Sequence, residues 1–149
     1  MRAVVQRVSE ASVRVDGRLL GSIKHGYMVL LGVEAGDSTK DADYIVNKII
    51  GLRVFCDENG KMNRSIADVQ GKILAISQFT LLGDARHGNR PSFTMAEQPD
   101  KANAWYEYCC AQWESKGISV EKGEFGAHMK VMLVNDGPVT ILLDSKKII

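Results

Sequence analysis

The stretch ILAISQFTLL (73–82) decides the architecture predicted for this chain. Its apolar residues are interrupted by the polar side chains of Ser77, Gln78 and Thr80. A second stretch, VMLVNDGPVTILL (131–143), repeats the pattern around NDGPVT (135–140). Short apolar runs bounded by turn residues are typical of buried strands. A buried polar group without a hydrogen-bond partner costs about 1–3 kcal/mol. Two such interruptions in one small protein therefore indicate a binding or catalytic site.

The regions around these two stretches predict further strands. They lie at Met1–Ser9, Ser12–Val15, Arg18–Ile23, Gly26–Val33 and Arg53–Cys56, and Lys72–Leu82 and the two arms of Val131–Asp144 complete the set. Gly83–Met95 has the glycine and proline content of a loop.

Two helices are predicted between the strands. The first follows a cap at Ser38-Thr39, with Asp41 in the capping-box position, and its apolar residues fall on one face (Ala42, Ile45, Val46, Ile49 and Ile50). The second covers Asp100–Lys116 and ends at Gly117. Strands mixed with two helices predict one α/β domain over residues 1–149.

Composition narrows the class of protein. The chain has 149 residues, of which 45% are hydrophobic and 25% are charged, and its formal net charge is +1. No apolar run approaches the length of about 18 residues that spans a membrane, and charged residues near the start argue against a signal peptide. We therefore expect a cytoplasmic protein that does not contact membranes.

Cysteine and metal-ligand spacing indicates neither disulfides nor a metal site. Cys56 stands alone, and Cys109 and Cys110 are neighbours, which favours reduced thiols. No zinc-type spacing and no glycine-rich phosphate loop occurs. We therefore expect neither a metal nor a cofactor.

The first motif, SQFTL (77–81), admits several interpretations. On a strand, Gln78 and Thr80 share one face and present an amide beside a hydroxyl. They could bind a polar substrate, Thr80 could act as a nucleophile, or backbone N–H groups could stabilise an oxyanion. An edge strand with both side chains in water is the plainer alternative. A nucleophilic Thr80 needs an adjacent base, and no histidine is near it in sequence.

The second motif, NDGPVT (135–140), has the composition of a tight turn. Gly137 tolerates backbone angles closed to other residues, and Pro138 permits a cis peptide bond. A cis bond could direct neighbouring carbonyl groups into a pocket. A plain hairpin turn is the simpler interpretation of the same residues.

The two motifs together resemble those of the D-aminoacyl-tRNA deacylase family. The similarity extends to MRAVVQRV (1–8), GNRPSF (88–93) and FGAHM (125–129), so it covers nearly the whole chain. It implies a mixed sheet with a barrel-like core and two main helices. It also implies a homodimer with active sites at the subunit interface, acting on the aminoacylated acceptor end of tRNA.

The resemblance further implies an activity and its residues. Members hydrolyse the ester of D-aminoacyl-tRNA and of mischarged glycyl-tRNA, with Ser77, Gln78, Phe79 and Thr80 as the catalytic segment. The carbonyls of Gly137 and Pro138 would enter the partner subunit's pocket and exclude an L side chain, while glycine and D-amino acids pass.

Supporting roles follow from the same resemblance. Arg7 would brace the Gly-Pro loop and Met129 would line the pocket. Water attack assisted by the 2′-hydroxyl of the terminal adenosine is preferred over a Thr80 nucleophile. His128 departs from the pattern; we expect a packed or surface residue, although a position in the pocket would revive a base-assisted mechanism.

The loop after the first motif is a candidate RNA contact. Arg86 and Arg90 could hold phosphates of the acceptor stem. DNA is not expected as a partner. Two other classes stay open on the residues: a module that binds the tRNA acceptor end without cleaving it, and an amidase that uses a threonine or cysteine nucleophile.

Overall fold

The structure is a computed structural model that describes residues 1–149, and it contains eight strands and two α-helices. The elements in chain order are β1 (Arg2–Val15), β2 (Arg18–Ile23), β3 (Gly26–Gly32), α1 (Thr39–Gly51), β4 (Phe55–Cys56), β5 (Met62–Arg64), β6 (Lys72–Ser77), a 3₁₀ helix (Phe79–Leu82), α2 (Pro99–Ser115), β7 (Val120–Lys122) and β8 (Lys130–Asp144).

The long strand β1 organises the main sheet. One edge of β1 pairs antiparallel with β3 and then with β2, and its other edge pairs antiparallel with β8. β6 lies parallel to β3, and β7 lies parallel to β6. Gly21 brings β2 against β7, because a Cβ atom there would lie 3.1 Å from the Lys122 carbonyl oxygen. The sheet therefore curls into a nearly closed barrel.

Apolar side chains form two packed clusters. The larger one joins both helices to the face of β1, β3 and β6 that carries Val5, Val29 and Ala75, and Trp113 is buried in it. The smaller one fills the barrel with residues such as Val8, Met28 and Leu74. Burial on both faces explains why the middle strands read as continuous apolar runs.

The first helix begins where the sequence predicts it. The Asp41 carboxylate accepts a hydrogen bond from the Ser38 N–H at 2.9 Å, and the buried side chains of α1 come from the predicted apolar face. α2 has Pro99 in its first turn, where the missing N–H costs nothing. Neither helix is long and apolar enough to cross a membrane. The predicted mixed α/β fold with two main helices is confirmed.

Four strand predictions are wrong, and the smallest error is at Arg53–Cys56, where β4 covers only Phe55–Cys56. Met1–Ser9 and Ser12–Val15 belong to one strand, since β1 bends at irregularities in its pairing instead of breaking. Lys72–Leu82 is a strand only to Ser77, the last residue with a ladder partner, because the chain then turns into the 3₁₀ helix at Phe79. Val131–Asp144 is not a hairpin; both arms pair with the same strand, β1. The sequence also gave no sign of β5 and β7.

Candidate active site

A cavity of about 460 Å³ lies at the carboxyl end of β6. The first motif contributes Ser77, Gln78 and Phe79 to its wall. The segment FGAHM (125–129) forms much of the remaining wall, and Met129 lines the cavity as the resemblance implies. Its other lining residues are Val33, Ile76, Ala96, Glu97, Pro99, Ala102 and Val131. An apolar cavity with a few polar groups is typical of a small-molecule site.

The first motif leaves the sheet by turning into the 3₁₀ helix. The Gln78 N–H still bonds the Leu31 carbonyl at 2.8 Å, after which the chain coils over the end of β3. Gly32 allows this close packing, because a Cβ atom there would lie 2.9 Å from the Gln78 carbonyl oxygen. The segment is therefore fixed against the sheet by backbone contacts.

The turn leaves two backbone donors without partners. The first N–H groups of a helix have no intrahelical acceptor, and the N–H groups of Phe79 and Thr80 make no hydrogen bond elsewhere in the chain. Phe79 lies in the cavity wall. Thr80 follows it directly but is not among the lining residues. Free backbone donors beside a cavity can stabilise negative charge on a bound carbonyl oxygen.

Thr80 is exposed, and its hydroxyl has one side-chain partner. The Gln78 amide donates to Thr80 Oγ1. The prediction that the two side chains share a strand face is wrong, since Thr80 belongs to the 3₁₀ helix. No carboxylate or imidazole forms a hydrogen bond with the Thr80 hydroxyl, so no base is in place to activate it as a nucleophile.

Two ionisable side chains line the cavity. Glu97 accepts hydrogen bonds from the N–H groups of Gln98 at 2.8 Å and Gly36 at 3.1 Å, and these donors hold the pKa of its carboxyl below the ordinary value. Sequence reasoning missed Glu97, which no motif marks. His128 also lines the cavity. Its side chain is exposed, so it is a candidate general base for a base-assisted mechanism.

The second motif forms a wide bulge in β8. Gln6 pairs with Thr140 and Val8 pairs with Asn135, so that Arg7 alone lies opposite residues 136–139. Within the bulge the Gly137–Pro138 peptide bond is cis. The hairpin interpretation is therefore wrong, because β1 passes beside both arms and leaves only the extra residues to loop out.

Side chains on both strands hold the bulge in place. Arg7 Nε donates to the Asp136 carbonyl at 2.8 Å, and its Nη1 donates to the Val54 carbonyl at 2.6 Å. Asn135 Oδ1 accepts from the Val139 N–H at 2.7 Å, and Asn135 Nδ2 donates to Thr140 Oγ1 at 3.0 Å. Gly137 has φ +144°, and a Cβ atom there would lie 2.7 Å from Val139 Cγ2. The bulge accepts only glycine at this position without rearrangement.

The two motifs do not meet within one chain. No residue of 135–140 lines the cavity, and strands β1 and β3 lie between β8 and β6 in the sheet. A second cavity, of about 500 Å³, lies near the amino ends of β3 and β6 and includes Val134 and Lys72. It contains none of the predicted site residues.

The basic loop after the first motif is closed at its base. Asp84 and Ser92 exchange backbone hydrogen bonds of 2.8 and 2.9 Å. Arg86 is paired with the Asp84 carboxylate at 2.7 Å, and this hydrogen bond lowers the Asp84 pKa to about 2. Arg90 is exposed and forms neither an ion pair nor a hydrogen bond. Of the two predicted RNA contacts, Arg90 therefore has the freer guanidinium.

The cysteines lie away from the cavity. Cys109 and Cys110 are buried in α2, and burial raises the pKa of both thiols, that of Cys110 to about 12. Cys56 is exposed, with its Sγ 3.8 Å from Arg7 Nη1. None of the three is paired in a disulfide.

Comparison with known proteins assigns the family. The protein-family model described as D-Tyr-tRNA(Tyr) deacylase matches residues 4–144. The chain belongs to this family. D-aminoacyl-tRNA deacylases from Syntrophomonas wolfei and Koribacter versatilis are 57% and 59% identical to it, and each match covers 99% of both chains. The predicted family and the predicted class of enzyme, a hydrolase, are confirmed.

Two solved structures share the fold. One, described as a c-Myc DNA unwinding element binding protein, has a TM-score of 0.91 at 42% identity over 97% of this chain and 98% of its own. The other, a probable eukaryotic D-amino acid tRNA deacylase, has a TM-score of 0.80 at 17% identity, over 96% and 98%. The second supports the fold alone. The first is described as binding DNA, and the absence of a DNA partner here stays a prediction.

Proposed function

We propose that this chain hydrolyses the ester between a D-amino acid and the terminal adenosine of tRNA, and also the ester of mischarged glycyl-tRNA. The observation that carries the proposal is the unpaired N–H pair of Phe79 and Thr80 beside a nucleoside-sized cavity. Family membership supplies the substrate class. The terminal adenosine would enter the cavity, and the ester carbonyl would face the two donors.

The chemistry this site would perform is positioning and oxyanion stabilisation. An aminoacyl ester is already activated, so these contributions can suffice. Water would attack the carbonyl with the 2′-hydroxyl of the adenosine as the assisting group. Glu97 adds a negative charge to the cavity wall, which suits a substrate carrying an α-ammonium group.

Selectivity against L-amino acids would come from the second motif. The carbonyls of Gly137 and Pro138 would form a rigid barrier where an L side chain projects, whereas glycine has no side chain to exclude. Bracing by Arg7 and Asn135 supports this role, because a barrier excludes only if it cannot move.

A homodimer would bring this barrier to the catalytic segment. The second motif lies outside its own chain's cavity, so we propose that it enters the cavity of a partner subunit. β8 pairs only with β1 and leaves one edge free. It also exposes Met132 (65%), Val134 (50%) and Leu142 (56%). Apolar side chains on a free strand edge favour pairing with another chain.

The first experiment is deacylation of matched D-Tyr-tRNA, L-Tyr-tRNA and Gly-tRNA by catalytic amounts of the protein, with its mass measured in solution. We expect multiple-turnover loss of the D-Tyr and Gly esters, sparing of the L-Tyr ester, and a dimer. Binding of charged tRNA without turnover would contradict the proposal and favour a non-catalytic module. Cleavage of both enantiomers at similar rates would leave the hydrolase but remove the chiral barrier.

The position of His128 calls for its own test. If the 2′-hydroxyl assists the attack, the variant His128→Asn keeps kcat within about threefold of the original and leaves its pH profile unchanged. A general base contributes about 10²–10⁴-fold. A loss of that size, with a pH profile that differs from that of the original chain, would assign the base to His128. His87→Asn, in the exposed loop, is the matched control.

A further inference from the structure

Two exposed phenylalanines stand together at the rim of the cavity. Phe79 is 54% exposed and Phe93 is 38% exposed, yet their rings pack edge to face with centroids 5.1 Å apart. Phe79 also lines the cavity. Single exposed apolar side chains are ordinary, but two paired rings beside a site offer flat faces to a ligand.

The position of Phe93 is built into the loop that carries it. The backbone bridge between Asp84 and Ser92 closes the loop immediately before Phe93. Gly83 lets the ring lie against the backbone, because a Cβ atom there would lie 3.0 Å from Phe93 Cε1. The ring is therefore placed by close backbone packing, although a large part of it faces solvent.

Positive charge lies in the same loop. Arg86 is held by Asp84, whereas Arg90 has no partner among the side chains or carbonyls of the chain. Proteins that bind single-stranded nucleic acid combine aromatic side chains with positive charge: bases stack on the rings, and the cation meets the backbone phosphate.

We infer that Phe79, Phe93 and Arg90 form a subsite for the single-stranded nucleotide that precedes the terminal adenosine. The base would stack on the aromatic pair, and its phosphate would meet Arg90. The inference rests on the proposed function, which places the terminal adenosine in the cavity. A strand leaving that cavity over the Phe79 side of its rim passes the aromatic pair first.

The test compares substrates of two lengths. Phe93→Leu keeps an apolar side chain over Gly83 but removes the ring, and Phe93→Tyr keeps the ring. For D-Tyr-tRNA we expect Phe93→Leu to lower kcat/KM about tenfold, equal to about 1.4 kcal/mol and within the range for loss of base stacking on one ring. For 3′-O-D-tyrosyl-adenosine, which lacks the preceding nucleotide, we expect no change. Leu19→Ala, at a residue exposed elsewhere, is the control.

A binding measurement makes the test independent of turnover. A hairpin RNA ending in single-stranded CCA should bind Phe93→Leu and Arg90→Gln more weakly than the original chain, and only Arg90→Gln should reduce the salt dependence. Removing the last two nucleotides of the RNA should abolish the difference between the original chain and Phe93→Leu.

Three outcomes would overturn the inference. Equal losses on both substrates would make Phe93 a packing residue of the site. A change of oligomeric state in Phe93→Leu would make it a subunit contact. Unchanged kinetics and unchanged RNA affinity would leave the aromatic pair without this role. If the original chain cleaves no ester, the proposed function fails, and the RNA affinities still decide the subsite.

Discussion

The two motifs solve different structural problems. The first motif ends a strand, turns over the end of β3 and presents unpaired backbone donors at a cavity. The second motif interrupts a strand that continues beyond it, and side chains from β1 and β8 brace it through the Asp136 carbonyl and the Val139 N–H. The first motif is the open region, with donors free to bind a ligand. The second motif is the closed region, held by hydrogen bonds within the chain. This contrast explains why the proposed roles differ: binding and reaction for the first motif, exclusion for the second.

The largest expected effect comes from the closed region. Gly137→Ala places a Cβ atom 2.7 Å from Val139 Cγ2 and 3.1 Å from Arg7 Nη2, at a φ of +144°. We expect the bulge to rearrange, with the ratio of D to L deacylation rates falling at least tenfold. We also expect a loss of about 1–3 kcal/mol in the free energy of unfolding. Deacylation rates on the two enantiomers give the ratio, and chemical denaturation gives the free energy of unfolding.

Gly60→Ala is the matched control for that variant. Gly60 also has a positive φ, of +75°, but a Cβ atom there meets nothing within 4 Å. It should lose some stability and keep the D-to-L ratio. An unchanged ratio in Gly137→Ala would remove the second motif from selectivity.

Removing the brace should have a smaller effect. Arg7→Ala deletes hydrogen bonds to the Asp136 and Val54 carbonyls, and bonds to charged groups contribute about 1.5–3 kcal/mol each. We expect the D-to-L ratio to fall severalfold, while the rate on glycyl-tRNA, which needs no exclusion, changes less. Arg14→Ala, which loses one exposed bond to Gly17, is the comparison. Equal losses on all substrates would assign Arg7 to folding alone.

In the open region, the hydroxyl of Thr80 should matter less than its backbone. Thr80→Val removes Oγ1 and its bond from Gln78 but keeps the N–H group. We expect the single-turnover rate constant to stay within about threefold of that of the original chain. The missing hydroxyl leaves the oxyanion donors in place. Abolished turnover with retained binding of D-aminoacyl-tRNA would make Thr80 a nucleophile.

The smallest expected effect comes from chemical modification of Cys56, which lies beside Arg7 and the closed region. Burial keeps Cys109 and Cys110 protonated and inaccessible, whereas Cys56 is exposed. We expect one thiol per folded chain to react with a disulfide reagent and three after unfolding. A methylthio group on Cys56, beside Arg7, should shift the D-to-L ratio less than Arg7→Ala. Rapid reaction of two or more thiols in the folded chain would contradict the assigned burial.

The sequence predicted what local patterns encode. The apolar face of α1, its cap at Ser38 and the buried strand before Ser77 all follow from residue spacing and turn chemistry. It also marked both motifs, because polar residues inside apolar runs stand out. It could not indicate that β8 continues through Gly137 and Pro138, since the pairing that keeps it a strand is supplied by distant residues of β1.

The residues of the site also fall into two groups, those that the sequence predicts and those that only the structure reveals. Ser77 to Thr80, Gly137, Pro138, Arg7 and Met129 are visible in the sequence through their motifs and the family resemblance. Glu97 and the exposed pairing of Phe79 with Phe93 are not, because they arise where separate loops converge. The sequence by itself determined both helices, the longer strands and the family. Only the tertiary structure decided which backbone donors stay free and that the two motifs lie apart in one chain, since both depend on contacts between residues far apart in sequence.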